Sequence, residues 1–104
     1  MECSVEISMY PLDKAYQALI IHFIKKLRTY PFIKVETNGM STQVFGEYDN
    51  VMNAINSEMK NSFITNDKVV FTLKVVNAIL QEKPSFSGWK KLSSSDLNLQ
   101  VKAP

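Results

Sequence analysis

Cysteine is almost missing from this chain of 104 residues. Cys3 stands alone, so no disulfide closes within the chain, which fits a reducing compartment. Histidine is as scarce, with His22 the single one, and neither residue has a metal-ligand neighbour at a useful spacing. A structural zinc site wants four such ligands, so no metal and no cofactor are expected. Charge of one sign is lacking too: a net charge of +2 is too small to steer the chain toward nucleic acid or a membrane surface. The longest apolar run, Ala18 to Ile21, ends at His22, far short of the ~20 residues that cross a bilayer. Met1-Glu2 leads straight into alternation, without the basic start and apolar stretch of a secretory signal. The expectation is a soluble cytoplasmic protein.

What is present is enough for one modest core. The hydrophobic share is 45%, ordinary for a globular domain, and a chain of this size buries about two-thirds of its unfolded surface. Residues 3–10 alternate, with Cys3, Val5, Ile7 and Met9 on one face and Ser4, Glu6, Ser8 and Tyr10 on the other. Period two marks a strand with one buried face, and Pro11 ends it. Asp13 suits a helix cap, and Tyr16, Ile20, Phe23, Leu27 and Tyr30 recur at helical spacing until Pro31. Residues 32–37 read as a second strand. Asn38-Gly39 then gives a hairpin signal, since both residues tolerate positive φ, and it places a third strand at 40–46. Glu47 and Asp49 put negative charge at the start of a second helix with a stripe of Val51, Met52, Ile55, Met59 and Phe63. Residues 68–76 form a fourth strand, with Phe71, Leu73 and Val75 on one face. Ala78 to Lys83 reads as a short helical turn, followed by a polar tail in which Phe86 and Trp89 are the exceptions.

The order β-α-β-β-α-β, with right-handed crossovers, predicts an α+β, ferredoxin-like fold: a four-stranded antiparallel sheet with both helices on one face. Residues 1–80 would be the ligand-binding domain, and 81–104 a tail packed on its own chain or on a partner subunit. The other face of the sheet would show Glu6, Ser8, Tyr10, Ser41, Gln43, Phe45, Val70, Thr72 and Val76. A partly apolar face of this size asks for a cover, from the tail or from a second copy.

The chemistry-bearing residues are few. Ser41 and Thr42 offer hydroxyls, but His22 is remote from them in sequence and nucleophilic catalysis needs a base within reach. Glu6 and Glu47 are not forced together, and strand-end and cap roles explain both. Tyr10 and Phe45 give an aromatic open face, yet the basic-Gly-aromatic motif of RNA-stacking sheets is missing. The remaining option is a small-molecule pocket where Ser8, Tyr10, Asn38, Ser41 and Thr42 converge beside the first and third strands. Tyr10 would give a flat face for a ring, and the hydroxyls and amide donors and acceptors for its nitrogens. The same five residues would equally serve as a turn and a polar sheet edge, and residue logic leaves both readings open.

Two segments carry a resemblance. Ile7-Ser8-Met9-Tyr10-Pro11-Leu12 with Tyr16, and Ser41-Thr42-Gln43-Val44-Phe45-Gly46-Glu47-Tyr48-Asp49-Asn50-Val51, resemble the first strand and the third-strand-to-helix segment of the YkoF-type thiamine/hydroxymethylpyrimidine-binding proteins. The resemblance implies a ferredoxin-like fold and a non-enzymatic role. The ligand would be thiamine or its hydroxymethylpyrimidine moiety, bound for uptake or salvage. It also implies association through the sheets into homodimers or homotetramers, and ligand contacts at Ser8, Tyr10, Ser41 and Thr42. Asn38 is added from its position. The chain departs from the pattern after the fourth strand, where Lys74-Val75-Val76-Asn77-Ala78-Ile79 stands in place of a serine and a Gly-Cys-Pro turn. A homo-oligomeric interaction or regulatory module without a thiamine ligand is the competing expectation.

Overall fold

Alternation along the first segment produces β1 (Glu2–Pro11), followed by α1 (Tyr16–Leu27), β2 (Ile33–Thr37), β3 (Thr42–Glu47), α2 (Tyr48–Thr65) and β4 (Val69–Val76). These come from a computed structural model, which describes residues 1–80. The strands form one antiparallel sheet in the order β2-β3-β1-β4, the ferredoxin-like α+β arrangement. Cys3, Val5, Ile7 and Met9 of β1 and Val44 of β3 meet Phe23 and Leu27 of α1 and Val51, Ala54 and Ile55 of α2 in one buried cluster. Both helices therefore cover the same face of the sheet.

The helix ends differ in detail from the sequence expectation. Asp13 accepts a hydrogen bond from the Ala15 N–H at 2.7 Å, shaping the turn ahead of α1, while Ala15 itself is the cap and offers no side-chain bond. The helix ends at Leu27, before Pro31 is reached. Its last carbonyls are taken by the N–H groups of Arg28, Thr29 and Tyr30 as the coil tightens. In α2 the Glu47 carboxylate accepts from the N–H groups of Asp49 and Asn50, at 2.9 and 3.2 Å, as a cap should.

The buried stripe of α2 is rotated from the expected one. Val51, Ala54, Ile55, Glu58 and Ser62 face inward, Met52 and Met59 are half-buried, and Phe63 lies at the margin, edge-on to Phe71 at 5.5 Å. The rotation brings the buried Glu58 carboxylate to the Tyr30 hydroxyl, which donates to it at 2.7 Å. Phe71, Leu73 and Val75 do share the helix face of β4. Leu73 and Val75 nevertheless stay exposed, because the helices lie chiefly over β1 and β3 and leave this edge strand bare.

On the opposite face one end is covered. Ser4 and Phe45 are buried there. After Val76 the chain turns back, and the Ser4 hydroxyl donates to the Ala78 carbonyl at 2.6 Å and accepts from the Leu80 N–H at 2.9 Å. Asn77–Leu80 is irregular where a helical turn was expected; the rest of that turn, Trp89 and the tail lie outside the described residues. The middle of the face is polar: Gln43 Nε2 donates to Ser41 Oγ, Ser41 Oγ donates to Glu6 Oε2, and Lys74 Nζ lies 3.7 Å from Glu6.

Candidate ligand-binding site

The site begins with how the β2–β3 hairpin turns. Asn38-Gly39 was expected to form a two-residue turn at positive φ, with β3 starting at residue 40. Neither residue takes positive φ, and the last strand pair is Thr37 with Thr42. Residues 38–41 form the loop instead. Asn38 Oδ1 accepts from the N–H groups of Met40 and Ser41, at 2.8 and 3.1 Å, and the Asn38 N–H donates to the Ser41 carbonyl at 3.1 Å. An asparagine that bonds its own downstream backbone closes a turn without the left-handed region.

This later start shortens β3 against β1. Their register ends at Ile7 opposite Thr42, whereas β1 continues along β4 to Pro11 opposite Val69. Among the described residues, residues 8–11 of β1 thus have a neighbour on one side only. The space on the other side lies between the hairpin loop and the first half of α1, and forms a cleft of about 520 Å³.

Ile7, Met9, Phe23 and Thr42 make its buried floor, and Tyr10, Leu12, Tyr16 and Met40 its exposed rim. All five residues singled out from the sequence, Ser8, Tyr10, Asn38, Ser41 and Thr42, line this one cleft, but they are not equivalent. Thr42 shares a face with Val44, toward the helices, and its hydroxyl, in a residue only 6% exposed, lies 3.1 Å from the Thr37 hydroxyl. One member of that pair donates to the other, so one O–H remains for a ligand. Ser41 directs its hydroxyl to Glu6 on the opposite face, and Asn38 Oδ1 is used by the loop. The Ser8 hydroxyl and the Tyr10 phenol have no protein partner among the described residues, and alternation puts both side chains on the open face beside Thr72 and Val70.

Three contributors went unnoticed in the sequence. Thr37 is legible once the turn is registered as 38–41, because it then faces Thr42. Tyr16 was seen as part of a motif and of a helix stripe, yet it stands half-exposed on the rim. The β1 backbone beyond Ile7 carries no letter that would announce it. Among the described residues the lining contains no Asp, Glu, Lys, Arg or His, so the cleft suits an uncharged group. The perturbed ionisations lie elsewhere. Burial, then the Glu47 charge, pushes the Cys3 thiol up, and the hydrogen bond to Glu58, then burial, pushes the Tyr30 phenol up.

No protein-family model and no curated protein matches the chain. Several solved structures share its fold. A Streptococcus pneumoniae protein aligns over 96% of this chain and 99% of its own, with a TM-score of 0.70 at 20% identity. A hypothetical protein of Methanocaldococcus jannascii aligns over 98% of both chains, with a TM-score of 0.65 at 21% identity. A Thermotoga maritima protein, assigned provisionally by its name to thiamine biosynthesis or salvage, aligns over 98% of this chain and 100% of its own, with a TM-score of 0.65 at 15% identity. At such identities the likeness establishes the ferredoxin-like fold that these chains share with this one.

Proposed function

We propose that this protein is a cytoplasmic, non-enzymatic binding protein for a small heterocycle, thiamine or its hydroxymethylpyrimidine moiety, serving vitamin uptake or salvage. The observation that carries the reading is the cleft beside β1: an apolar floor, the buried Thr42 bonded to the exposed Thr37 with one O–H left free, and an aromatic rim, with no charged side chain among the described residues of the wall. Such a wall favours the neutral pyrimidine over a phosphate ester, which would ask for a cation or a helix N-terminus. The two sequence motifs and the name of the Thermotoga neighbour point to the same ligand class. Within this reading Thr42 and Thr37 hydrogen-bond the ring substituents, while Tyr10 and Tyr16 flank the ring. Ser8, Ser41 and Asn38 shape the wall.

The test is calorimetric titration with hydroxymethylpyrimidine, thiamine and thiamine diphosphate. Saturable heat with the first two and none with the diphosphate is expected. No heat with any of them at millimolar concentration refutes the reading.

A second reading has its own observation. Leu73, Val75 and Val70 are exposed along β4, whose outer edge has no strand partner among the described residues, and Phe63 and Ile64 are exposed on α2. This is the surface of a module that assembles into a homodimer or homotetramer through its sheet, with or without a ligand. Light scattering across concentrations separates the two, since a monomer that still binds pyrimidine removes the assembly and keeps the ligand.

A further inference from the structure

The gap beside β1 exposes main chain as well as side chains. In an antiparallel ladder successive residues direct their N–H and C=O alternately to the two neighbouring strands. The Tyr48 N–H donates to the Met1 carbonyl at 2.8 Å, in line with the β3 register, so the odd-numbered residues of β1 address β3. The Leu12 N–H donates to the Lys68 carbonyl at 2.9 Å, in line with the β4 register, so the even-numbered residues address β4. Ile7 meets Thr42 and is the last odd residue with a partner. Pro11 has no N–H to offer. Met9 has both groups, directed to the side where β3 has ended, and no protein atom among the described residues takes either.

Met9 lines the cleft and is only 8% exposed. A donor and an acceptor on one residue, side by side on the edge of β1 that β3 leaves open to the cleft, form a recognition edge that a ligand can complete. We propose that the Met9 main chain reads the edge of a 4-aminopyrimidine: its N–H donates to the ring nitrogen, and its C=O accepts from the adjoining amino group. The ligand then continues the β1 ladder where β3 stops, with the threonine pair on the hairpin side. This deepens the ligand reading above and rests on it. It assigns specificity to a backbone group, so the identity of the side chain at position 9 matters only for packing.

Two pyrimidines test it. In the 4-oxo counterpart of hydroxymethylpyrimidine the ring nitrogen becomes a donor and the exocyclic group an acceptor, so donor would face donor at Met9 and acceptor would face acceptor. A site built around a hydrogen-bond pattern rejects the analogue that leaves its buried groups unpaired. The amino form is expected to bind at least about thirtyfold more tightly in calorimetry. Amide exchange followed by NMR should show the Met9 N–H exchanging faster than those of Ser8 and Tyr10 in the free protein, and slowing when the amino form binds. Met9→Leu should preserve the discrimination. Equal affinity for the two pyrimidines, or a Met9 amide already protected in the free protein, overturns the edge reading while the binding function stands. If neither pyrimidine binds, the binding function falls and the edge reading falls with it.

Discussion

Replacing each of two glycines by alanine separates the observed hairpin from the one the sequence suggests. At Gly46 a Cβ would lie 2.9 Å from the Phe32 carbonyl oxygen and 3.3 Å from Val51 Cγ2, at a φ of +156°. The first contact is closer than Cβ atoms come, and it is made to backbone, so a side-chain rotation does not relieve it. Phe32 has little room to yield, because it already holds a left-handed φ of 69° to turn the chain from α1 into β2. Forced repacking costs about 1–3 kcal/mol. The unfavourable φ adds about 1–2 kcal/mol. Gly46→Ala is therefore expected to destabilise by about 2–5 kcal/mol, which lowers Tm by about 8 °C or more at this chain length. At Gly39 a Cβ meets nothing within 4 Å and φ is not positive, so Gly39→Ala should leave stability unchanged or raise it by about 0.5 kcal/mol through the unfolded state. Urea denaturation of both variants, with m values unchanged, is the assay. A costly Gly39→Ala beside a harmless Gly46→Ala would mean that Asn38-Gly39 forms the two-residue turn after all and that the loop described above is wrong.

Thr42→Val keeps the shape of the cleft floor and removes one hydroxyl; a loss of about 1 kcal/mol of stability and about tenfold in pyrimidine affinity is expected, read by denaturation and calorimetry. Tyr30→Phe strips the buried Glu58 carboxylate of the donor 2.7 Å away and should cost about 1.5–3 kcal/mol, with most of that loss absent in a Glu58→Gln background. The Tyr30 phenol is raised above its ordinary 10.0 in the folded state, so its contribution is complete below pH 10.0 and lost as pH rises through the folded value. Alkaline titration of stability should fall in that window for the parent chain and lack this component in Tyr30→Phe. Ser4→Ala releases the bonds to Ala78 and Leu80, and the Leu80 amide should exchange faster in NMR while the β1–β3 amides hold their rates.

Periodicity made the fold legible. Cys3, Val5, Ile7 and Met9 all reach the core, as their spacing of two requires, and the hydrophobic spacing of α1 delivers Phe23 and Leu27. Where two physical solutions share one dipeptide, the sequence is silent. Asn38 closes a hairpin either by adopting the left-handed region or by bonding its own backbone, and it takes the second course. The α2 stripe was misjudged for a related reason. Hydropathy ranks Met59 and Phe63 above Glu58 and Ser62, but the Tyr30 hydroxyl makes Glu58 tolerable inside, and the helix turns accordingly. The five polar residues chosen from the sequence do gather at one cleft, although the side chains of Ser8, Tyr10 and Ser41 belong to the opposite face of the sheet. Thr37 depended on register, and the Met9 main chain on strand lengths, neither of which a residue type encodes.

The unequal reach of β1 and β3 makes the cavity a matter of counting. Adding two residues to each arm of the hairpin would carry the ladder past Ser8 to a rung opposite Met9 and seal the hollow with ordinary backbone, whatever side chains came with it. Trimming two from each would deepen it by the same step. Across proteins with this architecture, hairpin length is therefore a coarse dial for guest size, and a comparison that scores substitutions but ignores insertions would overlook it.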